Sequence, residues 1–166
     1  MDMVIGEHLE VLWYAKLQAD HAIRGDGQNK LRTYRKFKKE YCTEAYVKTL
    51  MPLKHRSALA KFRCGVAPLK IETGRYGMNR LPANERLCEF CENNEVEDEF
   101  HVVMICNFYD DIRHNPLQYV STEVNNFDMM TDNDKFNFLM SSPLCMKQCA
   151  RALAEILNKR QCTLNV

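Results

Sequence analysis

Apolar residues recur every three or four positions along much of the chain, a spacing that places them on one face of an α-helix. The first such stripe runs from Ile5 to Leu17 and predicts an amphipathic helix that ends near Gly25. A second stripe, between Leu31 and Tyr41, alternates with Lys and Arg, so this predicted helix has an aromatic face and a cationic face. Such a helix can pack against a neighbour through its aromatic face while its cationic face binds anions. The alternative is a solvated basic face whose long stems cover neighbouring residues.

Two more helices are predicted before the chain becomes irregular. Thr43 can cap a short helix, and Pro52 suits the first turn of a helix that continues to Cys64. Gly65 then suits the left-handed conformation just past the end of that helix. The Pro and Gly residues that follow indicate an extended connection, with a short strand at Leu69–Thr73.

The last part of the chain predicts two helices. Residues 136–140 have the spacing of a short helix, and residues 144–157 have that of a longer one. Lys159 and Arg160 follow at the end of the longer helix, where cations complement the helix dipole. The overall pattern is therefore mainly α-helical.

The composition fits a folded protein. The chain has 166 residues, of which 46% are hydrophobic and 27% are charged, values typical of globular proteins. No run approaches the roughly 18 apolar residues of a membrane-spanning helix, and Asp2, Glu7 and Glu10 stand where a secretory signal carries Lys or Arg. We therefore expect an intracellular protein, nuclear or cytoplasmic, that binds no membrane. In that reducing compartment the eight cysteines are candidates for metal binding or core packing before disulfides.

The charge is divided along the chain, although the net charge is only +1. Residues 24–86 carry 16 Lys or Arg and five Asp or Glu, whereas residues 87–134 carry one base and 12 acids. This reversal marks a boundary between two lobes. The predicted organisation is an N-terminal helix and loop (1–28), a basic helical region (29–86), a cysteine-containing lobe (87–115) and an acidic linker with C-terminal helices (116–166).

Four residues of the acidic segment have the spacing of a metal site. Cys88 and Cys91 are followed after nine residues by His101 and after four more by Cys106, which gives C-x2-C-x9-H-x4-C. A structural zinc ion takes four such ligands in a tetrahedron, and a C-x2-C turn supplies one pair of thiolates. Because protein ligands then fill every position, the predicted Zn²⁺ is structural. The expected fold is mainly α: a small helical bundle with an inserted CCHC zinc lobe made of a knuckle and a helix.

The alternative is a set of unrelated side chains, since cysteine is often buried in protein cores. Cys88 and Cys91, however, lie in a polar, acidic segment with little apolar company. Acidic residues at 97–99 precede an apolar run, so His101 and Cys106 are predicted to lie on a short helix with an acidic first turn. One of the carboxylates of Glu97, Asp98 and Glu99 is expected to orient the imidazole.

Two other patterns favour structural roles. Residues 108–111 match the F-x-D-D pattern that holds magnesium ions in reverse transcriptases, but this chain has no room for the rest of a polymerase. Asp110 and Asp111 are therefore predicted to begin a helix. Cys145 and Cys149 share a helix face but fall on its apolar stripe, so they are predicted to be core residues. No nucleotide-binding, hydrolase or metalloprotease motif occurs, and we expect neither catalysis nor a small-molecule substrate.

Motifs at residues 29–38, 55–63, 71–76, 86–91 and 96–106 follow an order that resembles a known family. In this order they resemble the carboxy-terminal region of non-LTR retrotransposon reverse transcriptases, downstream of the polymerase. The resemblance implies a zinc-binding tail that helps its parent enzyme hold RNA or target DNA, and it supports the same four ligands. The polymerase and endonuclease domains of that family have no counterpart here. The chain thus looks like a detached tail to which catalysis does not carry over.

The basic region, with its interleaved aromatic residues, predicts a non-catalytic module that binds RNA or single-stranded DNA. The candidate phosphate-binding residues are Arg32, Arg35, Lys36, Lys38, Lys39, Lys54, Arg56, Lys61, Arg63, Arg75 and Arg80. One alternative is a protein-interaction adaptor whose acidic lobe binds a basic partner or folds against the basic lobe. Another is a retrotransposon-derived reading frame without a present function.

Overall fold

The computed structural model describes residues 8–17, 33–76 and 80–165, and this part of the chain is mainly α-helical, as the sequence predicts. It contains no β-strand, only an isolated antiparallel bridge between Leu87 and Val96. The α-helices are α1 (8–17), α2 (Tyr34–Phe37), α3 (Ala45–Lys48), α4 (Leu53–Cys64), α5 (Lys70–Thr73), α6 (Asp110–Glu123), α7 (Asp132–Ser141) and α8 (Met146–Leu164). Short 3₁₀ turns lie at Ala83–Glu85, Asn107–Tyr109 and Phe127–Met129, and a π-helical turn lies at His101–Ile105. None of the described helices combines the length and the apolar character that crossing a membrane requires.

The core forms around α4 and α8, which pack against each other. α8 buries the stripe that its sequence spacing predicts, including Cys149, Leu153 and Ile156. On α4, Leu59 and Phe62 are buried, and α6 and α7 also pack on α8. Burial of one such large apolar side chain contributes about 1.5–3 kcal/mol. α8 is therefore the helix on which α4, α6 and α7 pack.

The ends of α4 follow the local sequence. Pro52 immediately precedes the helix, where its missing N–H leaves no bond unmade. Gly65 ends the helix in the left-handed region, with φ of 70°. Its N–H donates to Phe62 O at 3.2 Å, and the N–H of Val66 donates to Lys61 O at 2.9 Å, which together form a Schellman motif. The predicted bounds of this helix are confirmed because both signals are local.

The segment predicted as a strand, Leu69–Thr73, is instead largely the short helix α5. The N–H of Lys70 donates to the Glu97 carboxylate at 2.6 Å, and the N–H of Ile71 donates to the backbone oxygen of Glu97 at 3.1 Å. These bonds satisfy two of the donors that the start of a helix leaves free. The strand prediction was wrong because the acceptors that stabilise the start of α5 belong to Glu97, which is distant in sequence and leaves no signal near residues 69–73.

Other helices differ from the prediction in their bounds. The helix predicted between residues 31 and 41 is helical, among the described residues, only at Tyr34–Phe37. α8 continues past Lys159 and Arg160 to Leu164, so Arg160 is buried inside the helix instead of closing it. The predicted N-terminal helix is observed at residues 8–17, and its predicted end near Gly25 lies outside the described residues.

Candidate metal centre

The four predicted ligands converge at one point of the fold. The three Sγ atoms of Cys88, Cys91 and Cys106 and a ring nitrogen of His101 all lie within 4.8 Å of one another. Cys88, His101 and Cys106 are buried, and Cys91 is half-buried. A Cys₃His cluster of this kind could hold a metal ion.

A tight reversal of the backbone presents the first pair of ligands. The N–H of Cys88 donates to Glu95 O at 2.8 Å, and the N–H of Glu97 donates to Arg86 O at 2.9 Å, so the two arms of the reversal are paired. Asn94 adopts a positive φ of 54° in the turn, a conformation that Asn tolerates better than most residues. The C-x2-C spacing thereby places Cys88 and Cys91 on the same side of the turn as the remaining ligands.

The π-helical turn presents the second pair. Residues five apart on an α-helix project about 140° away from each other, so an ordinary helix would separate His101 from Cys106. Here the N–H of Cys106 donates to His101 O at 2.8 Å, an i→i+5 bond that brings the two residues above one another. The H-x4-C spacing and the π turn are therefore the same feature seen in sequence and in structure.

Two of the donor–donor distances match the edges of a metal-centred tetrahedron. Zn–S bonds of about 2.3 Å and Zn–N bonds of about 2.0–2.1 Å imply an S–S edge of about 3.8 Å and an S–N edge of about 3.5 Å. The Sγ atoms of Cys88 and Cys106 are 3.8 Å apart, and Cys91 Sγ is 3.4 Å from His101 Nε2. These two distances fit a tetrahedral ion, and the remaining donor–donor distances are all within 4.8 Å.

A carboxylate holds the other side of the imidazole. His101 Nδ1 lies 2.9 Å from Glu95 Oε2, which directs Nε2 toward Cys91. Outer carboxylates of this kind fix the ring and its tautomer in metal sites. The sequence predicts this role for one of Glu97, Asp98 and Glu99, and the prediction was wrong: Asp98 instead accepts from the His101 backbone N–H at 2.8 Å, and Glu97 and Glu99 are buried elsewhere.

Burial and backbone N–H donors shift the pKa of the cysteine thiols in opposite directions. Burial raises the pKa of the Cys88 thiol, and it raises the pKa of the Cys106 thiol to about 12. The N–H of Phe90 donates to Cys88 Sγ and the N–H of Phe108 donates to Cys106 Sγ, and both bonds lower the pKa. These donors favour the thiolate that a bound cation requires.

The site is joined to α8 by charge and aromatic contacts. Glu97 Oε1 and Oε2 accept from Arg160 Nε and Nη2 at 2.9 and 2.8 Å. The rings of Phe90 and Phe108 stack at 5.0 Å, with Arg160 over Phe90 and Lys159 over Phe108 at 5.4 and 4.6 Å. The acidic segment is therefore stabilised by apolar and ionic contacts that its composition does not predict. The roles of Glu95 and Arg160 were missed in the sequence because neither residue belongs to a recognisable spacing pattern.

The predicted phosphate-binding residues divide by exposure. Arg32 lies outside the described residues. Lys36, Lys39, Lys54, Lys61 and Arg80 are exposed, whereas Arg35, Arg56 and Arg75 are partly exposed and Lys38 and Arg63 are buried.

Several of these cations have partners inside the protein. Glu44 lies 3.5 Å from Lys38 Nζ and 2.8 Å from Arg63 Nη2. Arg63 also lies over the rings of Phe37 and Tyr46, at 5.2 and 5.6 Å. The charges of Lys38 and Arg63 are therefore engaged in the fold and turned away from solvent. Arg75 pairs with Glu72 at 3.2 Å, and Arg56 Nη2 donates to Thr49 O at 3.1 Å.

The other two patterns have the structural roles predicted for them. Asp110 and Asp111 lie in the first turn of α6, where Asp111 accepts from Lys159 at 2.8 Å. The cysteine-containing lobe is predicted to end at residue 115, but α6 continues through that position without a break. Cys145 and Cys149 are buried in the core.

Comparisons with protein-family models, with curated proteins and with solved structures give no match for this chain. The relationship to retrotransposon tails therefore stays a prediction that rests on the ordered motifs. The fold and the site define the class at a coarser level: a mainly α-helical protein with a Cys₃His cluster that could hold a metal ion.

Proposed function

We propose that this chain is a non-catalytic nucleic-acid-binding module stabilised by a structural Zn²⁺ ion at Cys88, Cys91, His101 and Cys106. Three thiolates and one imidazole form a donor set that suits zinc. Four protein ligands complete a tetrahedron, which leaves no position for a substrate. The ion would hold the reversal at residues 87–96 against the π turn.

The observation that carries the nucleic-acid proposal is a set of exposed cations on α3 and α4. Lys48, Lys54 and Lys61 are exposed, and none of them has a carboxylate partner among the described residues. Lys54 and Lys61 are seven residues apart on α4, so they share a face and lie about 10 Å apart along the axis. Cations without an internal partner are free to neutralise phosphates.

The position of the acidic segment supports the same proposal. Its carboxylates pair elsewhere: Glu97 with Arg160, Asp111 with Lys159, and Glu89 with Lys70. Lys70 belongs to the basic region, but it lies on α5, whereas Lys54 and Lys61 lie on α4. None of these pairs uses Lys54 or Lys61, which therefore stay open to a polyanion. The resemblance to retrotransposon tails, which we propose reflects a common origin, is consistent with RNA or target DNA as that polyanion.

Filter binding of a generic single-stranded RNA at several salt concentrations tests this function. We expect the Lys54→Ala/Lys61→Ala variant to bind more weakly, with a log–log salt slope smaller by about 1.4 if both lysines contact phosphates. A matched variant, Lys16→Ala/Arg151→Ala, removes the same charge from α1 and α8 and should keep the wild-type slope. Absence of binding at low salt, or equal slopes for the two variants, would contradict the proposal.

A further inference from the structure

Three apolar side chains protrude where α3 meets α4. Leu50 is 86% exposed, Leu53 is 77% exposed and Val47 is 49% exposed. We call these residues the leucine corner. Leaving a leucine in water forfeits the roughly 1.5–3 kcal/mol that its burial provides, so three neighbours left out together mark an interaction surface.

The leucine corner is held rigidly. Met51, between the two leucines, is buried, and Arg56 Nη2 donates to Thr49 O across the corner. The Thr49 hydroxyl also lies 3.6 Å from Met146 Sδ at the start of α8. A surface that is already ordered loses little conformational entropy on binding.

A groove of about 370 Å³ lies on a different part of the molecule, between α6 and the start of α7. Met104, Leu117 and Phe127 provide its apolar lining, and Asp128 and Asp132 are exposed beside them. His114, Gln118, Ser121 and Lys135 complete the lining. We call this feature the acidic groove.

The two features have complementary charge. Residues 47–61, which contain the leucine corner, carry four Lys or Arg and no acid. The groove lining has two acids, Asp128 and Asp132, and one lysine, Lys135, so its net charge is slightly negative. Opposite potentials of this kind orient two surfaces as they approach. Each of the two surfaces thus combines apolar side chains with charge, and the two charges are of opposite sign.

One copy cannot fill its own groove with its own corner. The groove lies at the start of α7, at Asp132 and Lys135, whereas the corner lies beside Met146, five residues after α7 ends at Ser141. Ten residues of α-helix span about 15 Å, farther than a leucine side chain reaches. The leucine corner can therefore reach such a groove only on another copy.

We propose that the leucine corner of one copy docks into the acidic groove of a second copy, head to tail. Such an interface is heterologous, so each copy keeps one free corner and one free groove, and longer chains can grow. The surface is small compared with the roughly 1,200 Å² of a standard interface, so the association is weak and depends on concentration. The docking surface includes Lys48, Lys54 and Lys61 of the proposed RNA-binding face, so RNA and a second copy would compete for it, and only variants that change the leucines and keep the lysines separate the two proposals.

Sedimentation velocity over a wide range of protein concentration tests the proposal. The wild-type protein should sediment faster as its concentration rises. Leu50→Ser/Leu53→Ser should remain monomeric, and so should Asp132→Lys. Leu164→Ser, which removes another exposed leucine, and Glu123→Lys, which reverses another exposed acid outside the groove lining, should both associate like the wild type.

Mixing the two defective variants gives the sharper result. Leu50→Ser/Leu53→Ser keeps an intact groove and Asp132→Lys keeps an intact corner, so the mixture should form a one-to-one complex that grows no further. Misfolding of either variant would not restore a complex. A wild-type protein that stays monomeric at every concentration, or a mixture without a complex, would overturn the proposal.

The RNA titration separates this proposal from the proposed function. Leu50→Ser/Leu53→Ser retains every lysine and should bind RNA with the wild-type salt slope at concentrations where the protein is monomeric. Loss of self-association with RNA binding retained supports the docking surface, and failure of RNA binding in all variants leaves the sedimentation result standing.

Discussion

The carboxylate of Glu97 receives two hydrogen bonds from the guanidinium of Arg160, at 2.9 and 2.8 Å, and both side chains are buried. Glu97 also accepts from the N–H of Lys70 at 2.6 Å. One carboxylate thus joins the metal-site segment, α5 and α8. Two-point pairing of this kind fixes orientation as well as distance.

The first prediction concerns this buried pair. Arg160→Met keeps much of the apolar stem but leaves the Glu97 charge buried and without its partner, which typically costs about 3–5 kcal/mol. Urea denaturation should show this loss in the free energy of unfolding. Arg160→Met/Glu97→Gln should recover part of it because the uncompensated charge is gone.

The exposed pair of Arg151 and Glu155 provides the control. Their nitrogen and oxygen lie 2.8 Å apart, close to the Glu97–Arg160 distance, but both side chains are solvated. Arg151→Met should cost only about 0.3–0.5 kcal/mol. Similar losses for Arg151→Met and Arg160→Met would contradict a role for burial.

The second prediction concerns the ligands. Cys106→Ser removes one donor of the tetrahedron, and we expect the purified protein to contain less than equimolar zinc and to melt at a lower temperature. Cys162→Ser changes an exposed cysteine outside the cluster and should alter neither quantity. Elemental analysis and thermal denaturation provide the measurements. Wild-type protein that is fully folded without any metal would refute the metal centre.

The third prediction concerns Glu95. Its carboxylate orients His101 without belonging to the Cys₃His cluster, so Glu95→Ala should weaken zinc affinity by about 10–100-fold with the fold retained. Glu92→Ala removes an exposed carboxylate from the same turn and should leave the affinity unchanged. Competition with a chromophoric chelator measures both constants. Equal affinities in the two variants would show that the hydrogen bond has no influence on the ion.

The fourth prediction concerns pH. Burial raises the pKa of the metal-free Cys106 thiol to about 12, so at neutral pH this thiol keeps its proton until zinc binds. Because proton and metal compete for the sulfur, apparent zinc affinity should fall as pH falls, by up to about tenfold per pH unit for each proton released. Calorimetric titrations in two buffers with different ionisation enthalpies count these protons. Identical heats in both buffers would exclude coupled proton release.

Helix bounds were predictable where the signals are local. Pro52 and Gly65 enclose α4 as expected, and the apolar stripe of α8 is buried as its spacing predicts. α5 was missed because Glu97, a distant residue, supplies its acceptors. Local chemistry was therefore readable in the sequence, and chemistry supplied by a partner far along the chain was not.

The Cys₃His cluster was predictable for a similar reason. Each pair is close in sequence, so its spacing records the turn that presents it. The bond from Glu95 and the burial of Arg63 and Lys38 have no such record. A basic residue looks the same in sequence whether it faces solvent or an internal carboxylate.

The sequence by itself determined the helical class and the four residues of the Cys₃His cluster, because the period of apolar side chains and the spacing of cysteine and histidine are properties of short segments. Only the tertiary structure decided which charged side chains remain exposed to solvent. Burying a cation requires a partner, and the partners of Arg160 and Arg63 are Glu97 and Glu44, which lie 63 and 19 residues away. Which cations stay exposed to solvent therefore depends on which of them the fold pairs with distant carboxylates.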